Sequence, residues 1–151
     1  MTSNMNERHM QRAFELARHQ HGRTGSNPAV GCVITDADGR VISEAATGDG
    51  GRPHAEEIAL ARIGSEITLG GTAYVTLEPC RERTHGGQSC SERLIAAGIQ
   101  RLVCALADRH PQGAGGFERL RKAGLIVETG LMADAAEALY RTFFQSIGDS
   151  A

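Results

Sequence analysis

The sequence predicts an α/β fold in which a mixed five-stranded sheet is covered by helices on both faces. Short apolar runs of strand length alternate along the chain with segments of helical periodicity, which is typical of a sheet flanked by helices. The first two strands are joined by a tight turn, whereas the later strands are separated by helices. The length of 151 residues fits one domain, so we expect a single domain over 1–151.

The amino-terminal half contains two helices and a hairpin. A helix is predicted over 6–20, where apolar residues recur on one face until Gly22 and Gly25. The apolar run at 29–35 predicts a buried strand, and 40–46 is its returning partner because Asp36-Ala37-Asp38-Gly39 is a turn sequence. A second helix is predicted over 55–63 from its apolar spacing.

The second half continues with alternating strands and helices. Gly70-Gly71 precedes a third strand at 72–77, and Ser89 can cap a helix over 90–97 that ends at Gly98. A fourth strand is predicted at 101–107, a short helix at 117–123 and a fifth strand at 125–129. Asp134 can cap a last helix to about residue 147. The predicted order is α-β-β-α-β-α-β-α-β-α.

Composition excludes several classes of function. The net charge is −2 and aromatic residues are 4% of the chain, which argues against a nucleic-acid partner. No apolar run approaches the ~18 residues of a membrane span, and the first residues lack an apolar signal core, so we expect a cytoplasmic protein without a membrane partner. In that compartment the four cysteines are expected to be free, catalytic or metal-bound.

Three short motifs place metal-ligand side chains at transitions between elements. Pro53-His54-Ala55-Glu56 lies where a loop enters a helix, Leu77-Glu78-Pro79-Cys80 lies where a strand ends, and Cys90 opens the next helix. Zinc binds imidazole nitrogen and thiolate sulfur, and a catalytic zinc keeps its fourth position for water. His54, Cys80 and Cys90 are therefore the predicted zinc ligands.

The spacing of the two cysteines leaves the third ligand open at this point. The short deaminase signature separates its cysteines by two residues, whereas nine residues lie between Cys80 and Cys90. Cys32 and Cys104 are the rivals, but both lie within apolar strands, where a cysteine usually acts as a small apolar residue. Cys90 is the better candidate.

Glu56 is the predicted catalytic residue. It stands two residues after His54, where the deaminase signature has a glutamate that moves protons and does not bind metal. Zinc lowers the pKa of a bound water from 15.7 toward ~7. We expect Glu56 to take that proton and deliver protons to a ring nitrogen and the departing amine, which needs a pKa raised by burial.

Longer segments carry a family resemblance over roughly residues 8 to 144. They read TGSNPAVGCVI, GRPHAEEIAL, YVTLEPC, CSERLIAAGI, ALADRHPQGAGGFERLRKAGL and GLMADAAEALYRTFF. These segments resemble the RibD-type deaminase domain of riboflavin biosynthesis. The resemblance implies the three-layer α/β/α fold of the cytidine deaminase-like superfamily and a longer loop between the zinc cysteines. It also implies deamination of 2,5-diamino-6-ribosylamino-4(3H)-pyrimidinone 5′-phosphate.

The expected substrate contacts come from several loops. The resemblance assigns substrate contacts to Asn27 and Asp108, and Ala55 is expected to contribute a further one. Segments expected near the mouth of the pocket add three candidates for binding a ring or a phosphate: Arg83, His85 and His110. Glu78 is interpreted as a structural residue that binds backbone donors.

Three segments depart from the family pattern and motivate other substrates. Residues 81–89 read RERTHGGQS where the family has S-H-x-G-[RK]-T-P-P, residues 108–111 read DRHP in place of D-P-N-P, and 43–51 lack the usual histidine. The alternatives are a deaminase of another heterocycle, such as a guanine, cytosine or natural-product ring, and a non-catalytic zinc module.

The assembly and the extent of the protein are further expectations. A homodimer is expected by analogy with the fold, and the substrate is expected to be a small molecule. The chain ends where the family's reductase domain would begin. A stand-alone deaminase served by a separate reductase, an excised domain and a paralogue with a new substrate are all consistent with that ending.

Overall fold

The computed structural model describes residues 2–64, 68–80, 88–109 and 114–146, with only the backbone described for residues 2 and 3. Its helices are α1 (Thr2–Gln20), α2 (Ala55–Ala61), α3 (Cys90–Ala96), α4 (Gly116–Lys122) and α5 (Ala133–Ser146). Its strands are β1 (Gly31–Thr35), β2 (Val41–Ala46), β3 (Thr72–Val75), β4 (Arg101–Cys104) and β5 (Ile126–Thr129). The predicted order of these elements is confirmed.

The bounds of the elements differ from the prediction at several ends. α1 begins at Thr2 rather than at residue 6, and no glycine or proline stands before Gln20 to interrupt it. β3 and β4 end at Val75 and Cys104, which pair with each other, rather than at residues 77 and 107. The N–H of Thr76 there binds the carbonyl of Gly31.

The strands form one sheet in the order β2-β1-β3-β4-β5. β1 is antiparallel to both β2 and β3, whereas β3, β4 and β5 run parallel to one another. The sheet is therefore mixed and five-stranded, as predicted. Since parallel strands end at the same edge of a sheet, the loops that follow β3 and β4 lie side by side.

Alternate residues of the strands face two separate apolar cores. Ile34 and Val75 belong to a core with residues of α2, α3 and α4, whereas Val33 and Tyr74 belong to a second core with residues of α1 and α5. The sheet is therefore the middle layer of an α/β/α arrangement, which confirms the predicted fold class. Within the described segments, no helix is both long and apolar enough to cross a bilayer.

Two close contacts fix the helices of the second core to the sheet. A Cβ atom on Gly31 would lie 1.8 Å from the carbonyl oxygen of Ala13, so α1 packs directly against the backbone of β1. The buried hydroxyl of Tyr140 in α5 donates to the carbonyl of Ala29 at 2.8 Å and lies 2.5 Å from the hydroxyl of Thr76. These contacts hold the segment that leads into β1 against the end of β3.

Candidate metal centre and active site

His54 is positioned by the start of α2. It is the N-cap residue of that helix, with extended φ and ψ of −70° and 157°. Glu57, three residues later, closes a capping box in which its carboxylate accepts from the N–H of His54 at 3.4 Å. Glu57 also pairs with Arg93 of α3 at 3.6 Å. The backbone of His54 is thus held by its own helix, which is in turn tied to α3.

Cys80 and Cys90 are brought together by the start of α3. Ser89 caps this helix by accepting from the N–H of Glu92, and Glu92 accepts in return from the N–H of Ser89. The N–H of Cys90 points at the sulfur of Cys80 at 3.2 Å, and the N–H of Ser91 binds the carbonyl of Cys80 at 3.1 Å. The two ends of the segment between the cysteines are therefore fastened to each other.

The ligand atoms of His54, Cys80 and Cys90 form a compact group. Nδ1 of His54 lies 3.3 Å from the sulfur of Cys90 and 3.9 Å from that of Cys80, and all three atoms lie within 4.8 Å of one another. One imidazole and two thiolates suit zinc, and three protein ligands leave one position open for water. In the part of the chain that the structure describes, this is the one group of three or more such residues.

The electrostatics of the group provide one acidic thiol, that of Cys80, and one carboxyl group suited to proton transfer, that of Glu56. Hydrogen bonds from the Cys90 thiol and from His54 lower the pKa of the Cys80 thiol to about 4, so Cys80 is ready to act as a thiolate. Glu56 is 3% exposed, and this burial raises the pKa of its carboxyl group to about 7. A carboxyl group with that pKa can both accept and release a proton near neutral pH.

The rival cysteines lie inside the protein core. Cys32 and Cys104 are both fully buried and belong to the core between the sheet and α2. Neither belongs to the metal-ligand group, so their interpretation as small apolar residues is confirmed.

Glu78 organises the backbone around Cys80. Glu78 is 6% exposed, and its carboxylate accepts three backbone hydrogen bonds, from Asp108 at 2.9 Å, Gly115 at 3.1 Å and Phe117 at 2.8 Å. It therefore joins the end of β3, the loop after β4 and the start of α4. The interpretation of Glu78 as a structural residue that satisfies backbone donors is confirmed.

The predicted substrate contacts fall into two groups. Asn27 donates to the carbonyl of Gly51 at 3.0 Å, beside the loop that leads to His54. Ala55 is fully buried, backbone included, so the structure leaves no surface of this residue open to a substrate. The backbone N–H of Asp108 donates to the carboxylate of Glu78 at 2.9 Å. The remaining candidates lie outside the described residues: Arg83, His85 and His110.

Two residues that support the site were not predicted from the sequence motifs. Glu57 orients His54, and the spacing of three residues between an N-cap and a glutamate could have indicated it. Gly116 allows α4 to approach the site, because a Cβ atom there would lie 1.8 Å from the carbonyl oxygen of Pro79. The sequence carries no local signal for that second contact.

Comparisons with known proteins agree with this geometry. The family described as the cytidine and deoxycytidylate deaminase zinc-binding region matches residues 3–106. RibD of Escherichia coli, named a riboflavin biosynthesis protein, is 45% identical over 142 residues, which is 92% of this chain and 37% of RibD. This chain therefore spans about two fifths of the length of that relative.

A shorter relative and a solved structure match as well. The diaminohydroxyphosphoribosylamino-pyrimidine deaminase of Buchnera aphidicola is 39% identical over 91% of this chain and 92% of its own length. The structure of Acinetobacter baumannii RibD matches with a TM-score of 0.88 and 38% identity, over 97% of this chain and 40% of that one. The zinc-binding family and the His/Cys/Cys group together identify Zn²⁺ as the metal.

Proposed function

Because this chain belongs to the zinc-dependent cytidine and deoxycytidylate deaminase family, and within it to the RibD-type deaminase domains, we propose that it hydrolyses the amino group from a phosphorylated aminopyrimidine. The first-choice substrate is 2,5-diamino-6-ribosylamino-4(3H)-pyrimidinone 5′-phosphate. The observation that carries the proposal is the buried carboxyl group of Glu56, with a pKa of about 7, beside His54, Cys80 and Cys90.

The described residues account for each proton in the reaction. When bound by His54, Cys80 and Cys90, zinc supplies the acidity that makes a water molecule nucleophilic near neutral pH. Glu56 accepts a proton from the attacking water as its oxygen bonds to the ring carbon that carries the amino group. Glu56 first delivers this proton to the ring nitrogen. It then accepts the remaining proton of the hydroxyl group now on the ring carbon and delivers it to the amino group, which leaves as ammonia while the ring carbon becomes a carbonyl. The net consumption is one water for each ammonia released.

The substrate assignment rests on the relatives. The Buchnera deaminase carries the substrate class in its name and matches this chain over nearly the whole length of both proteins. Asn27 and Asp108 lie beside the loops that carry His54 and Cys80, which supports their proposed roles in holding the pyrimidine and its sugar. Those two roles rest on the family resemblance.

Ammonia release from the zinc-loaded chain tests the proposal. The unaltered protein should release ammonia from the diaminopyrimidine phosphate, and guanine and cytosine serve as competing substrates. Glu56→Gln should keep one zinc per chain and lower kcat by at least ~100-fold, because it removes the proton-transfer group. The matched control is Glu118→Gln, which removes the charge of a glutamate in an exposed ion pair with Lys122.

Each outcome of this assay decides a separate part of the proposal. Turnover of guanine or cytosine in place of the diaminopyrimidine would replace the substrate and leave the deaminase chemistry intact. Undiminished turnover by Glu56→Gln would refute the role of Glu56. Zinc binding without turnover of any substrate in the panel would favour the non-catalytic zinc module.

The surroundings of the reaction complete the proposal. We propose that the protein acts in the cytoplasm as a homodimer, by analogy with its fold. A reductase would act on the product, either as a separate chain or as part of a longer protein, since RibD of E. coli is more than twice the length of the region matched here.

A further inference from the structure

The segment that follows β4 lies against the turn that carries Cys80. The N–H of Glu78 binds the carbonyl of Leu106 at 2.9 Å, and the carboxylate of Glu78 accepts from the N–H of Asp108 at 2.9 Å. Glu78 stands two residues before Cys80. The backbone of Asp108 is therefore anchored on one side to the loop that carries Cys80.

The neighbouring residue, Arg109, is anchored on the opposite side to α5. Its Nη2 atom donates to both carboxylate oxygens of Glu137, at 2.9 and 3.3 Å. Its guanidinium carbon also lies 4.4 Å from the centre of the Phe144 ring, and Phe144 is 3% exposed. We call the contacts of Arg109 with Glu137 and Phe144 the Arg109 latch.

Two properties distinguish the latch from an ordinary surface ion pair. An exposed pair contributes little by itself, because water solvates both charges and two long side chains must be ordered. Here the guanidinium also stacks on a buried ring, and that contact strengthens as the cation loses water. A planar guanidinium can stack and donate in its plane at the same time, whereas an ammonium group cannot.

We propose that Arg109 is a positioning residue: the latch fixes the segment after β4 so that Asp108 faces the substrate beside the metal ligands. This inference rests on the proposed function. Glu78 and the latch act on adjacent residues from opposite sides, so Asp108 is held between β3 and α5. Without the latch, Asp108 keeps the bond from its N–H to Glu78 and loses the support of Arg109 on α5, so the segment opens more often.

The first test is hydrogen exchange, which needs no substrate. In the zinc-loaded protein, Arg109→Ala should speed amide exchange at residues 105–109 by about tenfold, because the segment opens locally more often. The matched control is Arg101→Ala, which breaks a pair with Glu128 at the opposite end of β4 and should leave the exchange of 105–109 unaltered.

The second test separates binding from chemistry. Arg109→Ala should raise KM by roughly 3- to 10-fold, with kcat within about twofold and zinc content unchanged, as expected for the loss of one stacked ion pair. Arg109→Lys keeps the charge opposite Glu137 and loses the planar stack, so its KM should lie between those of the unaltered protein and Arg109→Ala. Arg101→Ala should leave KM unchanged.

The outcomes distinguish the latch from the proposed substrate. Unchanged amide exchange at 105–109 in Arg109→Ala would overturn the latch. Faster exchange with an unaltered KM would also overturn the proposal, because it would show a structural contact that does not affect substrate binding. If the unaltered protein does not turn over the diaminopyrimidine phosphate, the proposed substrate falls. The exchange comparison between Arg109→Ala and Arg101→Ala still decides whether the latch holds the segment.

Discussion

Replacing Glu78 by glutamine should destabilise the protein by about 1–3 kcal/mol, the cost of one unsatisfied buried donor. The amide oxygen of glutamine can still accept from Gly115 and Phe117, which share one carboxylate oxygen of Glu78 at 3.1 and 2.8 Å. The amide NH₂ group would then face the N–H of Asp108, which now donates to the other oxygen at 2.9 Å. Two donors would meet in a position that is 6% exposed.

The assay is thermal unfolding of the zinc-loaded protein at fixed zinc and protein concentrations. For a chain of this size, that loss lowers Tm by about 2–4 °C per kcal/mol. Glu78→Ala should cost more than Glu78→Gln, because all three backbone donors lose their acceptor. Glu118→Gln serves as the exposed control and should leave Tm nearly unchanged. A Glu78→Gln protein whose Tm falls by less than about 2 °C, the smallest shift expected for a loss of ~1 kcal/mol, would show that the bond from Asp108 adds no measurable stability.

Three further predictions follow from the site. Gly116→Ala should weaken zinc binding in a chelator competition and lower Tm, because its Cβ would lie 1.8 Å from the Pro79 carbonyl, whereas Gly64→Ala, with open space around it, should do neither. In the metal-free protein, burial raises the pKa of Glu56 from 4.5 to about 7. Between these two pH values the folded state holds a proton that the unfolded chain has released. The resulting stabilisation of the folded state, on the order of 3 kcal/mol, is complete below pH 4.5 and is lost as the pH rises through 7. Urea unfolding across that range should show the loss, and a Glu56→Gln protein with the same pH dependence would contradict it. Cys104→Ala should retain one zinc per chain by metal analysis; loss of the zinc would make Cys104 a ligand.

The metal group could be predicted from sequence because its signal is local. His54 caps α2 and Cys90 opens α3, and those boundaries follow from turn residues and apolar spacing, whereas Cys80 lies in the loop that follows β3. The parallel pairing of β3 with β4 brings consecutive strand ends to one edge of the sheet. The element order and the metal group therefore needed no knowledge of side-chain packing.

The contacts that support the site could not be predicted in the same way. Arg109 and Glu137 are 28 residues apart, and no periodicity links a loop arginine to one particular glutamate on a later helix. The donors to Glu78 lie 30 to 39 residues after it, so the sequence indicated the kind of bond but not its partners. Strand ends were misplaced for a related reason, since β4 stops where its pairing with β3 stops.

Two hydrogen bonds from backbone N–H groups fasten the start of α3 to Cys80. Because the N–H groups of Cys90 and Ser91 are fastened to Cys80, the connection between the cysteines begins and ends at the same place in the fold. The entropic cost of lengthening such a closed loop grows only with the logarithm of its length. The number of residues between the two cysteines can therefore vary at little entropic cost to the metal site.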